Sequence, residues 1–148
     1  LFMTDGHNFR NNEIGAVLGK SQLKRLDDMI EKRMVNYLIW SDIMTNYQHK
    51  FIVPDISYNS SNFAFPFIAQ TKEIHEKFSN LLTEYDVEYR PIVSGNLLRQ
   101  PFLKDRGYGS PESFRNAEVL HERGLYVGNS HFVNDYHMDM LLEILKQL

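Results

Sequence analysis

No cysteine occurs in this chain, which excludes disulfides, zinc–thiolate centres and cysteine nucleophiles. That absence fits a reducing cytoplasm. No apolar run approaches the ~20 residues that cross a bilayer, and no leader pattern opens the chain, so no membrane partner is expected. Blocks of like charge are also missing. The 16 basic and 19 acidic residues leave a formal charge of −3, which gives no electrostatic basis for nucleic acid as a partner. There are no repeats and no low-complexity segments. What remains is an ordinary globular composition, 43% hydrophobic and 24% charged over 148 residues. A chain of that length forms one domain burying roughly 68–70% of its unfolded surface. The 10 Phe and 8 Tyr lack interleaved basic residues, so a packed core is their expected use rather than base stacking. The chain opens at Leu1 without an initiator methionine, and is expected to be the C-terminal part of a longer protein.

From Asn12 to about Tyr47 the pattern is helical, with Ile14, Val17, Leu18, Leu23, Leu26, Ile30, Met34 and Leu38 recurring near one face. Asn11 can cap this stretch, and a break is expected near Leu26–Asp28. Gly15 and Gly19, one turn apart, suggest close approach by another helix or subunit, or a tight contact within the chain. Lys50 to Asn62 reads as a loop. Phe63, Phe65 and Phe67 alternate with Ala64, Pro66 and Ile68 as a half-buried strand, with Pro66 either on an edge or with its nitrogen facing outward. Thr71 caps a helix with a stripe of Ile74, Phe78, Leu81 and Leu82. Val87 to Val93 is a second strand. Ser110-Pro111 starts a further helix ending at Gly124. Leu125 to Val127 is a short strand, and Asn134 precedes a last helix with Met138, Leu141, Leu142, Leu145 and Leu148 on one face. The fold class is α+β with a long helical lead-in. Residues 1–48 form that lead-in and residues 49–148 a small C-terminal domain.

Three segments carry the candidate chemistry. Gly6-His7-Asn8-Phe9-Arg10 presents an amide and a guanidinium just ahead of a helix N-terminus, where unpaired N–H groups favour an anion. Arg90-Pro91-Ile92-Val93-Ser94-Gly95-Asn96 places an arginine, held extended by the following proline, at a strand end that suits a phosphate or diphosphate. An arginine beside a proline is also, and more often, a surface ion-pair residue. Arg99 either shares that work or faces water. The third segment is Gly124-Leu125-Tyr126-Val127-Gly128-Asn129. His131, Asp135 and His137 lie close in sequence, but their spacing matches no familiar ligand pattern, so no metal is expected. No nucleophile elbow occurs.

Gly-x-Asn-x-Arg leading into Glu13, Ile14, Ala16, Leu18 and Gly19, followed by Gln22-Leu23-Lys24-Arg25-Leu26, resembles the DegT-type sugar aminotransferases. These are pyridoxal-phosphate (PLP) enzymes of fold type I that act on nucleotide-linked keto sugars. The Arg90–Asn96 stretch, Asn116-Ala117-Glu118 and Gly124–Asn129 bring the resemblance closest to the branch containing the GDP-4-keto-6-deoxymannose 3-dehydratases. Two positions depart from the pattern: Ser130 follows Val-Gly-Asn where that branch has histidine, and His7 stands in the middle where the family often has Gly-Tyr-Asn. The resemblance implies that residues 1–48 end the large domain and supply connecting helices, and that residues 49–148 are the small domain. It implies a homodimer with active sites between subunits, pyridoxal or pyridoxamine 5′-phosphate as cofactor, a nucleotide-sugar substrate and glutamate as amino donor. Asn8, reaching across the dimer, and Arg10 would bind the cofactor; Arg90 and Asn96 would bind the substrate. No lysine here matches the Schiff-base position, so no catalytic residue is assigned. The implied activity is 3-dehydration of a 4-keto-6-deoxy sugar in deoxysugar or O-antigen biosynthesis. Amino transfer to the same kind of sugar is the alternative. A non-catalytic dimerisation or interaction domain is the alternative for the chain taken alone.

Overall fold

The computed structural model describes residues 3, 12–54, 60–93, 95–103 and 106–148. Asn12 turns the backbone into α1 (Glu13–Leu23) by accepting the Gly15 N–H at 2.7 Å, and Glu13 lies in the first turn, where the helix dipole favours negative charge. Asn12 is therefore the cap; Asn11, expected in that role, lies outside the described residues. The helical stretch breaks at Lys24 and Arg25, directly before α2 (Leu26–Thr45). No residue of α1 is buried, and Ile14, Val17 and Leu18 are 75%, 68% and 60% exposed. Nothing lies within 4 Å of a Cβ placed at Gly19, and only Asn12 approaches one at Gly15. The tight intra-chain contact considered for this pair is not made among the described residues.

Beyond α2 come β1 (Phe51–Ile52), β2 (Ala64–Ala69), α3 (Lys72–Glu84) and β3 (Tyr89–Pro91), then α4 (Arg115–Arg123), β4 (Gly124–Gly128) and α5 (Asp135–Lys146). The segment read as a loop from Lys50 thus begins with a short strand, and the second predicted strand is trimmed to three residues. Short 3-10 turns at Leu97–Arg99, Pro101–Leu103 and Pro111–Ser113 fill the connection from β3 to α4, so Pro111 opens a 3-10 turn and the α-helix begins four residues later. The four strands form an antiparallel sheet in the order β1-β2-β4-β3.

Pro66 sits in a strand with a neighbour on each side, and the register explains how. The Asn129 N–H donates to Phe63 O at 2.7 Å. Bonded pairs alternate in an antiparallel ladder, so Phe65–Val127 and Phe67–Leu125 are bonded pairs and Pro66–Tyr126 is not. The proline nitrogen therefore faces the opposite edge, which β1 does not reach because it pairs only with Ile68 and Ala69. The outward-facing nitrogen holds; the edge position does not.

Alternation sends Phe65, Phe67 and Ala69 to one face, where they meet Tyr37, Trp40 and Met44 of α2, Phe78 and Leu82 of α3, and Met138, Leu141, Ile144 and Leu145 of α5. Ile144 takes the buried place expected for Leu142, which is only half-buried. Aromatic rings bridge the layers: Trp40 lies 5.9 Å from both Phe65 and Phe67, and Phe67 lies 4.8 Å from Phe78. Fully burying each such ring or leucine stabilises the fold by about 1.5–3 kcal/mol. Thr71 caps α3 as expected, accepting the Ile74 N–H at 3.3 Å. The second half of α2 is thus part of the same core as the sheet. No helix among the described residues is long and apolar enough to cross a membrane.

Candidate functional site

Cross-strand register places Pro66, Tyr126 and Arg90 in one row on the face of the sheet opposite the core. Arg90 is exposed there, its Nη2 and Nε donating to Glu88 Oε1 at 2.8 and 3.1 Å. Hydrogen bonding to that carboxylate raises the guanidinium pKa above its ordinary value, so Arg90 is a permanent cation. A cleft of about 540 Å³ runs along the chain from Tyr85 to Arg90 and is walled by Tyr126, Tyr136 and His137. It joins a cationic fork, a carboxylate and aromatic faces, a combination that suits a polar ligand carrying phosphate.

Asn96 is placed differently. It is 2% exposed, and its Nδ2 donates to Pro111 O at 3.0 Å and Glu118 Oε1 at 2.5 Å, while its Oδ1 accepts the Leu98 N–H at 3.1 Å. Its backbone N–H donates to His121 Nδ1 at 3.4 Å. The side chain is committed inside the protein, so the amide expected to bind substrate is not free to do so. Arg99 is paired with Glu118, its Nε donating to the two carboxylate oxygens at 2.9 and 3.1 Å and its Nη2 to Oε2. The Arg99 hydrogen bonds hold the Glu118 carboxyl down to about 2, well below its ordinary 4.5.

Gly124, at φ −97°, ends α4 without the left-handed turn expected of a C′ glycine. What it supplies is room: a Cβ there would lie 2.5 Å from Leu120 O and 2.8 Å from Ile92 Cδ1. Asn129, closing the same motif, is 1% exposed and donates to Arg33 O at 3.0 Å and Asn62 O at 2.8 Å, which fastens α2 to the sheet. His137 occupies the third position of α5, with its Nδ1 2.6 Å from Asn134 Oδ1 in a capping box. Asn8 and Arg10 lie outside the described residues.

Glu88 and Glu118 are the residues that sequence reasoning left without a role. Glu88 carried a readable signal, since residues two apart on a strand share a face and a carboxylate there meets Arg90. Glu118 stood in the Asn116-Ala117-Glu118 run, but its pairing carried no local signal, because its partners lie 19 and 22 residues away.

The chain matches the DegT/DnrJ/EryC1/StrS aminotransferase family over residues 3–146. It is a member of that family. A GDP-4-keto-6-deoxy-D-mannose 3-dehydratase from Escherichia coli O55:H7 is 32% identical over 148 residues, covering 98% of this chain and 38% of that protein. A UDP-4-amino-4,6-dideoxy-N-acetyl-beta-L-altrosamine transaminase from Helicobacter pylori is 32% identical over 126 residues, covering 77% of this chain and 32% of that protein. The crystal structure of a GDP-4-keto-6-deoxymannose 3-dehydratase with a trapped PLP-glutamate geminal diamine superposes with a TM-score of 0.76 at 30% identity, over 95% of this chain and 37% of its own. The chain therefore spans less than two fifths of the length of each of these DegT-family relatives. The α+β architecture is that of PLP-dependent transferases of this family.

Proposed function

We propose that this chain is the C-terminal part of a PLP- or PMP-dependent enzyme that removes the 3-hydroxyl of a nucleotide-linked 4-keto-6-deoxy sugar, in the cytoplasm, on the way to a deoxysugar of a surface polysaccharide. The observation that carries the reading is the 32% identity to a GDP-4-keto-6-deoxy-D-mannose 3-dehydratase along 98% of the chain. Residues 1–48 belong to the end of the large domain and its connecting helices, and residues 49–148 are the small domain. The working unit is a homodimer.

In this reading Asn8 and Arg10 hold the cofactor phosphate across the dimer. The structural support is the helix they lead into: α1 starts at Glu13, only a few residues beyond them, and offers an N-terminus of the right polarity for an anion. When bound, the cofactor supplies an electron sink for carbanion chemistry at the sugar. Arg90 grips the diphosphate from the sheet face, and Asn96 shapes the adjoining turn. The proton-transfer residue belongs to the part of the enzyme that precedes this chain.

Amino transfer to the same class of keto sugar is the second reading, favoured by the 32% identity to the Helicobacter pylori transaminase. Atom balance separates the two. Deoxygenation with glutamate yields a sugar lighter by one oxygen, together with one 2-oxoglutarate and one ammonia. Amino transfer yields an amino sugar and 2-oxoglutarate without ammonia. The test is to incubate the full-length protein with PLP, glutamate and GDP-4-keto-6-deoxymannose, then measure product mass and ammonia together. The deoxy product with stoichiometric ammonia is expected. An amino sugar without ammonia selects the second reading, and no turnover in either assay overturns both.

A further inference from the structure

The turn that follows β3 is held from one side by α4. Gly95 sits at φ +53°, and a Cβ there would lie 2.3 Å from His121 Nδ1 and 2.9 Å from its Cα, so the turn touches the helix with no room for a side chain. Asn96 beside it has its side chain committed to Pro111, Glu118 and Leu98. Arg99 closes the far end of the turn on Glu118. Glu118 is the point these contacts share, one carboxylate taking Asn96 Nδ2, Arg99 Nε and Arg99 Nη2, with its side chain only 16% exposed. Arg90 stands in a different position. Its pair with Glu88 is exposed at 66% and 78%, the kind of pair that contributes little and is readily exchanged for another anion.

We infer that Glu118 is a positioning residue for the sugar-nucleotide site: by tying Asn96 and Arg99 to α4 it fixes the turn directly after Arg90 and leaves recognition of the diphosphate to Arg90. The inference rests on the substrate role given to Arg90 above. A carboxylate is required at this place because a guanidinium fork is satisfied by two anionic oxygens in one plane. A glutamine keeps the size and one acceptor but loses the charge and the second oxygen.

The experiment compares Glu118→Gln with wild type in the full-length, PLP-loaded protein by two readouts: amide hydrogen exchange across residues 92–100, and kcat and KM for GDP-4-keto-6-deoxymannose. Exchange at Asn96 and Leu98 is expected to quicken by about tenfold or more, the scale of a lost charged hydrogen bond, while β2 and β4 keep wild-type protection. KM is expected to rise about fivefold with kcat within about twofold, since the change touches binding and not chemistry. Unchanged exchange in the turn overturns the latch; a loosened turn with unchanged KM overturns its link to substrate. Should Glu118→Gln fail to fold, Arg99→Lys keeps the charge, removes the fork and is read in the same way. A wild-type protein that turns over neither keto-sugar reaction overturns the proposed function and the substrate half of this inference, while exchange still decides the latch.

Discussion

The Asn129 side chain ties three segments at once, donating to Arg33 O and Asn62 O and accepting from Asn36 Nδ2 at 3.3 Å. Asn36 in turn donates to Ser130 O at 3.2 Å, so the two buried amides form one network between α2 and the end of β4. Removing one member leaves polar groups in the interior without partners, which costs more than the hydrogen bonds themselves. Asn129→Ala is expected to lower stability by about 2–3 kcal/mol in a denaturant melt followed through Trp40, the sole tryptophan. Glu118 sets a second residue-scale expectation, on pH. Its carboxyl lies at about 2 in the folded protein against an ordinary 4.5. A depressed carboxyl stabilises the fold fully above the unfolded value and loses that contribution as pH falls through the folded one. The stability difference between wild type and Glu118→Gln should therefore be constant above about pH 4.5 and shrink steadily toward pH 2. A difference that persists unchanged into that window would mean Arg99 does not hold the carboxylate.

At the scale of elements, α1 and α3 behave oppositely although both look amphipathic in sequence. Phe78 of α3 is fully buried, whereas Val17 of α1 is 68% exposed. Phe78→Ala should cost about 3–5 kcal/mol, and Val17→Ser within about 0.5 kcal/mol, in the same melt of this chain. The cap at Thr71 and the stripe of α3 were legible because each depends on residues within one or two turns. Pro66 could be placed only in part: its missing donor is a local fact, but which edge it faces depends on the pairing of β2 with β4. The turn after β3 is held by contacts with α4 some 22 to 25 residues along the chain, and no period in the sequence announces them. The same distance hid the site's supports. The exposed ion pair of Arg90 with Glu88 matches the surface-pair alternative that its own neighbourhood offered, while the burial of Asn96 follows from Pro111 and Glu118, 15 and 22 residues away.

At the scale of the molecule, the sheet divides the work between its faces. One face and α2, α3 and α5 make the core; the other carries the Pro66–Tyr126–Arg90 row, and the cleft lies along β3 where it meets α5. A rigid aromatic core behind β3 fixes the strand that carries Arg90, and the proposed diphosphate role of Arg90 relies on that constant position. The chain spans less than two fifths of the length of the DegT-family relatives it matches. The proposed role of Arg90 is to receive the substrate's diphosphate while the cofactor is held elsewhere. The most direct measurement titrates the sugar nucleotide into full-length wild type and Arg90→Ala by calorimetry, with the cofactor absorbance recorded on the same samples. Affinity is expected to fall about tenfold to a hundredfold, the scale of a charged hydrogen bond, with cofactor absorbance unchanged. Equal affinities, or loss of the cofactor band in Arg90→Ala, would contradict it.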